Sequence, residues 1–176
     1  MSNWLKKIFL EYIYKNELDK LLVSKQQMSF KKINNISIIL DGRFDIKEAY
    51  FYRLAKYFKV PKKNVKILTF FQANKKLEST ILNKSYAQKD IGSFGSFNEV
   101  LEVFCATKCD VLINYFDQND IHLKIVSLRC DKQISVGFNS IEHELNDLII
   151  DVSTKNKNVF ANEVKKYLKI IYKFQQ

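Results

Sequence analysis

Hydrophobic residues fall three and four apart along the first two dozen positions, at Trp4, Leu5, Ile8, Phe9, Tyr12, Ile13, Leu18, Leu21 and Leu22. That is the period of a helical turn, and it predicts a long amphipathic helix from Asn3 to about Ser24. After a polar stretch, Lys25 to Asn35, the pattern changes to Ile36-Ser37-Ile38-Ile39-Leu40, a short β-branched run of the kind buried in parallel sheets. Asp45 and Glu48 have capping-box spacing ahead of a helix carrying Ala49, Tyr50, Leu54, Tyr57 and Phe58. Pro61, the single proline, closes that region, and Val65 to Phe71 reads as a second strand.

From Gln72 to Phe97 the period fades, and Gly92 and Gly95 fall there, so a long excursion with one short strand near Tyr86 to Ile91 is expected. Ser96 and Glu99 repeat the capping-box spacing before a helix through Val100, Leu101, Phe104 and Cys105. Val111–Ile113, Ile134–Phe138 and Leu148–Val152 then read as strands, with Ile121–Leu128 and Val159–Tyr172 as helices. Strands separated by helices imply βαβ units. The expected fold is therefore one Rossmann-like or flavodoxin-like α/β domain over residues 31–176, a mostly parallel sheet of about five strands with helices on both faces. The amphipathic helix and a linker, residues 1–30, precede it.

The runs Asp110-Val-Leu-Ile-Asn-Tyr-Phe116, Ile134-Ser-Val-Gly-Phe138 and Asp147-Leu-Ile-Ile-Asp-Val152, flanked by an N-terminal helix and a lysine-rich closing helix, carry a resemblance. In that order they resemble an uncharacterised family of small Bacteroidota proteins, a domain of unknown function. The resemblance covers nearly the whole chain and implies a Rossmann-like fold in a bacterial cytoplasmic protein; it implies no catalytic residue. The strand and helix order is also similar to one half of sugar-transferring enzymes with twin Rossmann-like domains. Only one half fits in 176 residues, so a cleft between two such domains cannot form within the chain.

Charge divides the chain into blocks. Residues 1–90 hold 19 Lys+Arg against 8 Asp+Glu, residues 91–152 hold 4 against 10, and residues 153–176 hold 6 against 1. Such segregation points to a polyanion on one face and to a protein partner on the acidic 91–152 face. The Trp4–Tyr14 segment is interrupted by Lys6, Lys7 and Glu11 and is too short to span a bilayer, so a cytoplasmic location is expected. Cys105, Cys109 and Cys130 form no Cys-x-x-Cys pair and read as buried, reduced structural thiols.

Ligands of open parallel sheets bind beyond the carboxyl ends of the strands, which directs attention to Asp41–Phe44, Asn114–Asn119 and Phe138–Ser140. Gly42, Arg43, Asn114 and Asp117 are the candidate pocket: Gly42 for close backbone approach, Arg43 for a phosphate. The glycine-rich fingerprints of dinucleotide and P-loop sites are absent. Asp41 and Asp117 are candidates for a carboxylate pair or half a magnesium site, although strand-end aspartates more often cap loops. His122 and His143 lack metal-ligand spacing and read as exposed residues, and Cys130 has no evident base. No catalytic residue, metal or cofactor is therefore expected.

The lysines make a stronger case. Lys62, Lys63 and Lys66 open the second strand; Lys75, Lys76, Lys84 and Lys89 populate the excursion; Lys155, Lys157, Lys165, Lys166 and Lys169 load the last segment. Lysine clusters suit phosphate backbones without base readout, so structured RNA, the ribosome's included, is the expected partner, with no DNA specificity. The competing explanation is a solvated lysine surface of the kind AT-rich genomes enrich. In the first helix, Trp4, Phe9 and Tyr12 beside Lys6, Lys7 and Lys15 fit contact with a protein partner or, less well, an anionic membrane surface. Its apolar positions occupy more than one narrow stripe, which favours protein contact. Three readings follow: a non-enzymatic RNA-binding protein, a Rossmann-like nucleotide or sugar-phosphate enzyme domain, and an adaptor docked by its first helix.

Overall fold

The computed structural model describes residues 3–24, 32–72 and 83–172. Its centre is a six-stranded, wholly parallel sheet: β1 (Ile36–Asp41), β2 (Val65–Phe71), β3 (Asn83–Ala87), β4 (Cys109–Tyr115), β5 (Lys132–Phe138) and β6 (Leu148–Ile150). The strand order is β3-β2-β1-β4-β5-β6, the Rossmann order rather than the flavodoxin one. Every residue of β1 and β4 is buried, which explains why both read as continuous apolar runs instead of alternating ones. The strand expected near Tyr86–Ile91 lies earlier, because Gln88–Asp90 turns into a 3-10 segment and Ile91 pairs with Phe97 in an isolated antiparallel bridge.

Five α-helices are described: α1 (Asn3–Ser24), α2 (Glu48–Tyr57), α3 (Glu99–Ala106), α4 (Ile121–Arg129) and α5 (Lys157–Ile171). Two of their starts differ from the capping spacings. Asn98, not Ser96, accepts the Leu101 amide at 3.0 Å and caps α3. At α2 the cap position is Lys47 and no side chain fills it; Asp45 lies in the loop.

The sheet separates two apolar layers. On one face, α2 and α5 bury Tyr50, Phe51, Leu54, Phe160, Val164 and Leu168 against alternate residues of β1, β2, β4 and β5. Tyr115 is the hub of that layer, edge-on to the rings of Phe44, Tyr50, Phe51, Phe138 and Phe160 at centroid distances of 5.0–6.1 Å. On the other face lie α3 and α4, and α1 packs over α4 with Leu10, Tyr14 and Leu18. The first helix is thus docked on the α/β body. Because α4 is covered by the sheet on one side and α1 on the other, all of Ile121–Leu128 is buried.

That double cover sets the surroundings of three polar residues, one of which was read differently from the sequence. His122, expected to be exposed, is buried: its ring stacks on Phe70 and its Nδ1 lies 2.9 Å from Asp120, the α4 cap. Lys124 is buried with its ammonium 3.1 Å from Glu142, 3.5 Å from Glu11 and over the Tyr14 ring. Arg129 holds Glu17 of α1 in a two-point bond and also reaches the Gly95 carbonyl and the Phe97 ring.

Candidate nucleic-acid interface

The basic residues converge most densely on the outer face of the α2–α5 layer. Residues 47–63 carry six Lys+Arg against one acidic residue, and residues 153–172 carry five against one. The apolar stripes of α2 and α5 face the sheet, so their charged positions are left outward. Lys62, in the 3-10 turn Lys62–Asn64, sits 4.6 Å from the centroid of Tyr52 on α2. Lys165 of α5 sits 5.2 Å from Tyr57 of α2, and Lys166 lies 5.0 Å from Tyr167. The Lys165–Tyr57 contact bridges the two helices, and all three cover ring faces that would otherwise be open to bases.

The other lysines expected to join this surface divide among several places. Lys63, Lys155 and Lys157 are exposed, and Lys169 is half-buried on α5. Lys66 points to the opposite layer, where its ammonium donates to Thr107 Oγ1 at 3.0 Å. Lys84 and Lys89 belong to the β3 edge, and Lys75 and Lys76 lie outside the described residues. Arg53, Lys56 and Lys59, exposed on α2 and just after it, were missed by reading clusters along the chain. Their signal was present in the helical spacing of positions 53 and 56 opposite the apolar stripe.

At the sheet's carboxyl edge, strand order reverses between β1 and β4, the place where doubly wound sheets bind ligands. Arg43 is there, but its Nε lies 2.9 Å from both oxygens of the buried Asp41 and its Nη1 reaches Gln118. The Asp41 bond, against the opposing effect of burial, holds the guanidinium above its usual range, with Asp117 and Asp120 adding to the negative surroundings. Asp117 accepts from Thr154 Oγ1 at 3.0 Å, so the two aspartates are engaged separately. Gly42 has a packing reason: a Cβ there would sit 2.7 Å from the Phe70 carbonyl and run into the Phe71 ring. Asn114 is not at the edge; it is fully buried and donates to Asn146 at 2.8 Å. Beside this edge an open cleft of about 930 Å³ lies between the 42–48 loop and Thr69–Gln72. Among the described residues no group of His, Cys, Asp or Glu is arranged to hold a metal ion.

A family model spans residues 6–171, from within α1 to the end of α5. The chain belongs to DUF6913, a family of unknown function. No curated protein and no solved structure matches it. The DUF6913 match includes most of α1, in agreement with the helix being part of the packed body.

In this DUF6913 protein, α1 carries two apolar stripes, and only one is used internally. Leu10, Tyr14 and Leu18 face α4, whereas Trp4, Phe9 and Tyr12 face outward, Trp4 and Tyr12 being 68% and 66% exposed. No described helix is long and apolar enough to cross a membrane. The three cysteines are buried, and burial pushes the Cys109 thiol up to about 11, which removes it from nucleophilic chemistry near neutral pH.

Proposed function

We propose that this protein is a non-enzymatic cytoplasmic protein that binds structured RNA, ribosomal RNA included, through the phosphates along its α2–α5 face. The observation that carries this reading is the outward lysine layer in which Lys62, Lys165 and Lys166 each lie over a tyrosine ring. Ammonium groups held this way are positioned for phosphate oxygens, while the covered rings offer little to an unstacked base. Recognition is then by backbone and shape, as for double-stranded RNA. The acidic carboxyl edge of the sheet would face away from the nucleic acid.

The test is binding of the full chain to a duplex RNA across a salt series, with recovery of the native protein from its own cells at low salt. Affinity that falls steeply with salt, together with co-purifying RNA or ribosomal particles, is expected. Salt-independent affinity, or none, overturns the reading. The switch-point cleft supports a second reading, a nucleotide or sugar-phosphate domain. Saturable binding of such a ligand that is lost in Arg43→Ala would establish it in place of the first.

A further inference from the structure

We infer that the outward stripe of α1, together with Phe94, is a docking surface for an anionic phospholipid membrane. The stripe comprises Trp4, Ile8, Phe9 and Tyr12, all exposed, on the first three turns of the helix. Phe94, 75% exposed, adjoins it, with its ring edge-on to Phe9 at 5.8 Å. Both halves are firmly mounted. The Phe94 loop is closed by Gly95 N donating to the Gly92 carbonyl at 3.0 Å and Gly92 N to Ser96 at 2.7 Å, with Gly95 at a φ of +77°. Arg129 ties that loop to α1 by bonding both the Gly95 carbonyl and Glu17. Exposed aromatics held in place by two anchored elements are not an unfolded remnant, and a contiguous apolar patch of this kind marks an interaction site.

Charge selects the occupant. Over residues 3–16 the single carboxylate is Glu11, and it is turned inward to Lys124, whereas Lys7 and Lys15 are exposed with no acidic partner among the described residues. The surroundings of the apolar stripe are therefore cationic. A second copy of the chain packed on this face would bring Lys7 and Lys15 of both copies together, with Asp19 the one exposed carboxylate that α1 offers in return, a costly arrangement. An anionic bilayer meets both requirements. Trp and Tyr settle at the headgroup level, Phe and Ile reach the acyl boundary, and Lys7 and Lys15 meet lipid phosphates. The stripe lies on the opposite side of the sheet from the α2–α5 face, so lipid and RNA would not compete for one surface.

Trp4 is the only tryptophan, so its fluorescence reports on this stripe alone. The full-length protein is mixed with vesicles of equal parts phosphatidylcholine and phosphatidylglycerol, and with phosphatidylcholine alone. A blue shift and flotation with the anionic vesicles only are expected. Phe9→Ser/Phe94→Ser should abolish the shift, Lys7→Glu/Lys15→Glu should weaken it several-fold, and Lys165→Glu/Lys166→Glu should leave it in place. The substituted residues are exposed, apart from the half-buried Lys165, and unchanged thermal unfolding of each variant confirms the fold. The inference is overturned by no shift with anionic vesicles, by a shift that depends on Lys165 and Lys166 instead, or by a lipid-free shift that tracks dimer formation in sedimentation. Recovery of a protein bound to this face, with vesicles inert, likewise overturns it.

Discussion

The two helical layers that flank the sheet are built in opposite ways. In the α2–α5 layer, aromatic rings meet inside around Tyr115 and the charges face outward. In the α1–α4 layer, Lys124, Arg129 and His122 are turned inward to carboxylates, while Trp4, Phe9 and Tyr12 face outward. Helix burial explains the difference. A helix covered on one side can place its charges in solvent; α4 is covered on both sides and must satisfy them within the protein. The outer helix then has one face committed to that task and another left over. Surface chemistry on each side thus follows from how many layers lie beneath it.

The largest expected effect probes the aromatic interior. Tyr115→Ala removes the ring at the hub and should destabilise the protein by about 4 kcal/mol in denaturant unfolding. Tyr115→Phe loses only the hydroxyl bond to the Thr154 carbonyl and should cost about 1 kcal/mol. Equal losses would mean that the hydroxyl, not the ring packing, holds that layer.

Next comes the ionic interior. Lys124→Ala leaves Glu142 and Glu11 facing each other without their cation and should cost about 3 kcal/mol, whereas Lys124→Met should recover much of it. Lys166, exposed on the other layer, provides the contrast: Lys166→Ala should leave the unfolding midpoint nearly unchanged. A negligible cost at Lys124 would erase the distinction between the layers.

Titration gives a smaller, two-ended effect. Burial raises Tyr115 to about 12, so its contribution is fully present below about pH 10, the unfolded tyrosine value, and is lost as pH rises through the folded value. Asp120 behaves in the opposite sense. Burial pushes it up, but the bonds from the His122 ring and amide outweigh this and hold it below the usual carboxylate range. Its contribution is present above about pH 4 and is lost as pH falls through the folded value. Acid should therefore loosen the start of α4 first, as read by amide exchange, and Asp120→Asn should blunt that response. Smallest is the cap of α3: Asn98→Ala should cost about 1 kcal/mol in unfolding and Ser96→Ala close to nothing.

The fold is legible in the sequence where one force dominates. The apolar run of β1, the limits of β2 and the length of α1 are set by hydrophobic period alone, and all three are legible. It is less legible where two neighbours compete. Asn114 looked like a ligand because it falls near the carboxyl end of a strand; it is instead paired with Asn146, which lies over Gly137 so closely that a Cβ there would be 2.5 Å away. A glycine inside a strand was the available sign of that close approach. His122, read as exposed, is buried for the same kind of reason. The sequence of α4, with apolar residues on every side, carries the signal that its polar groups need internal partners. The lysine surface was visible as clusters, but its assembly across α2, the Lys62–Asn64 turn and α5 is tertiary and could not be read from adjacency along the chain.

The most direct test of the layered architecture is the salt dependence of duplex-RNA affinity in two charge-reversal variants, one for each layer. Lys62→Glu/Lys165→Glu/Lys166→Glu should weaken binding and flatten the slope of log affinity against log salt by about one unit for each phosphate no longer neutralised. Lys7→Glu/Lys15→Glu, on the α1 side, should leave that slope unchanged. Identical slopes in wild type and the first variant, or an equal change in both variants, would contradict the assignment of RNA binding to the α2–α5 face.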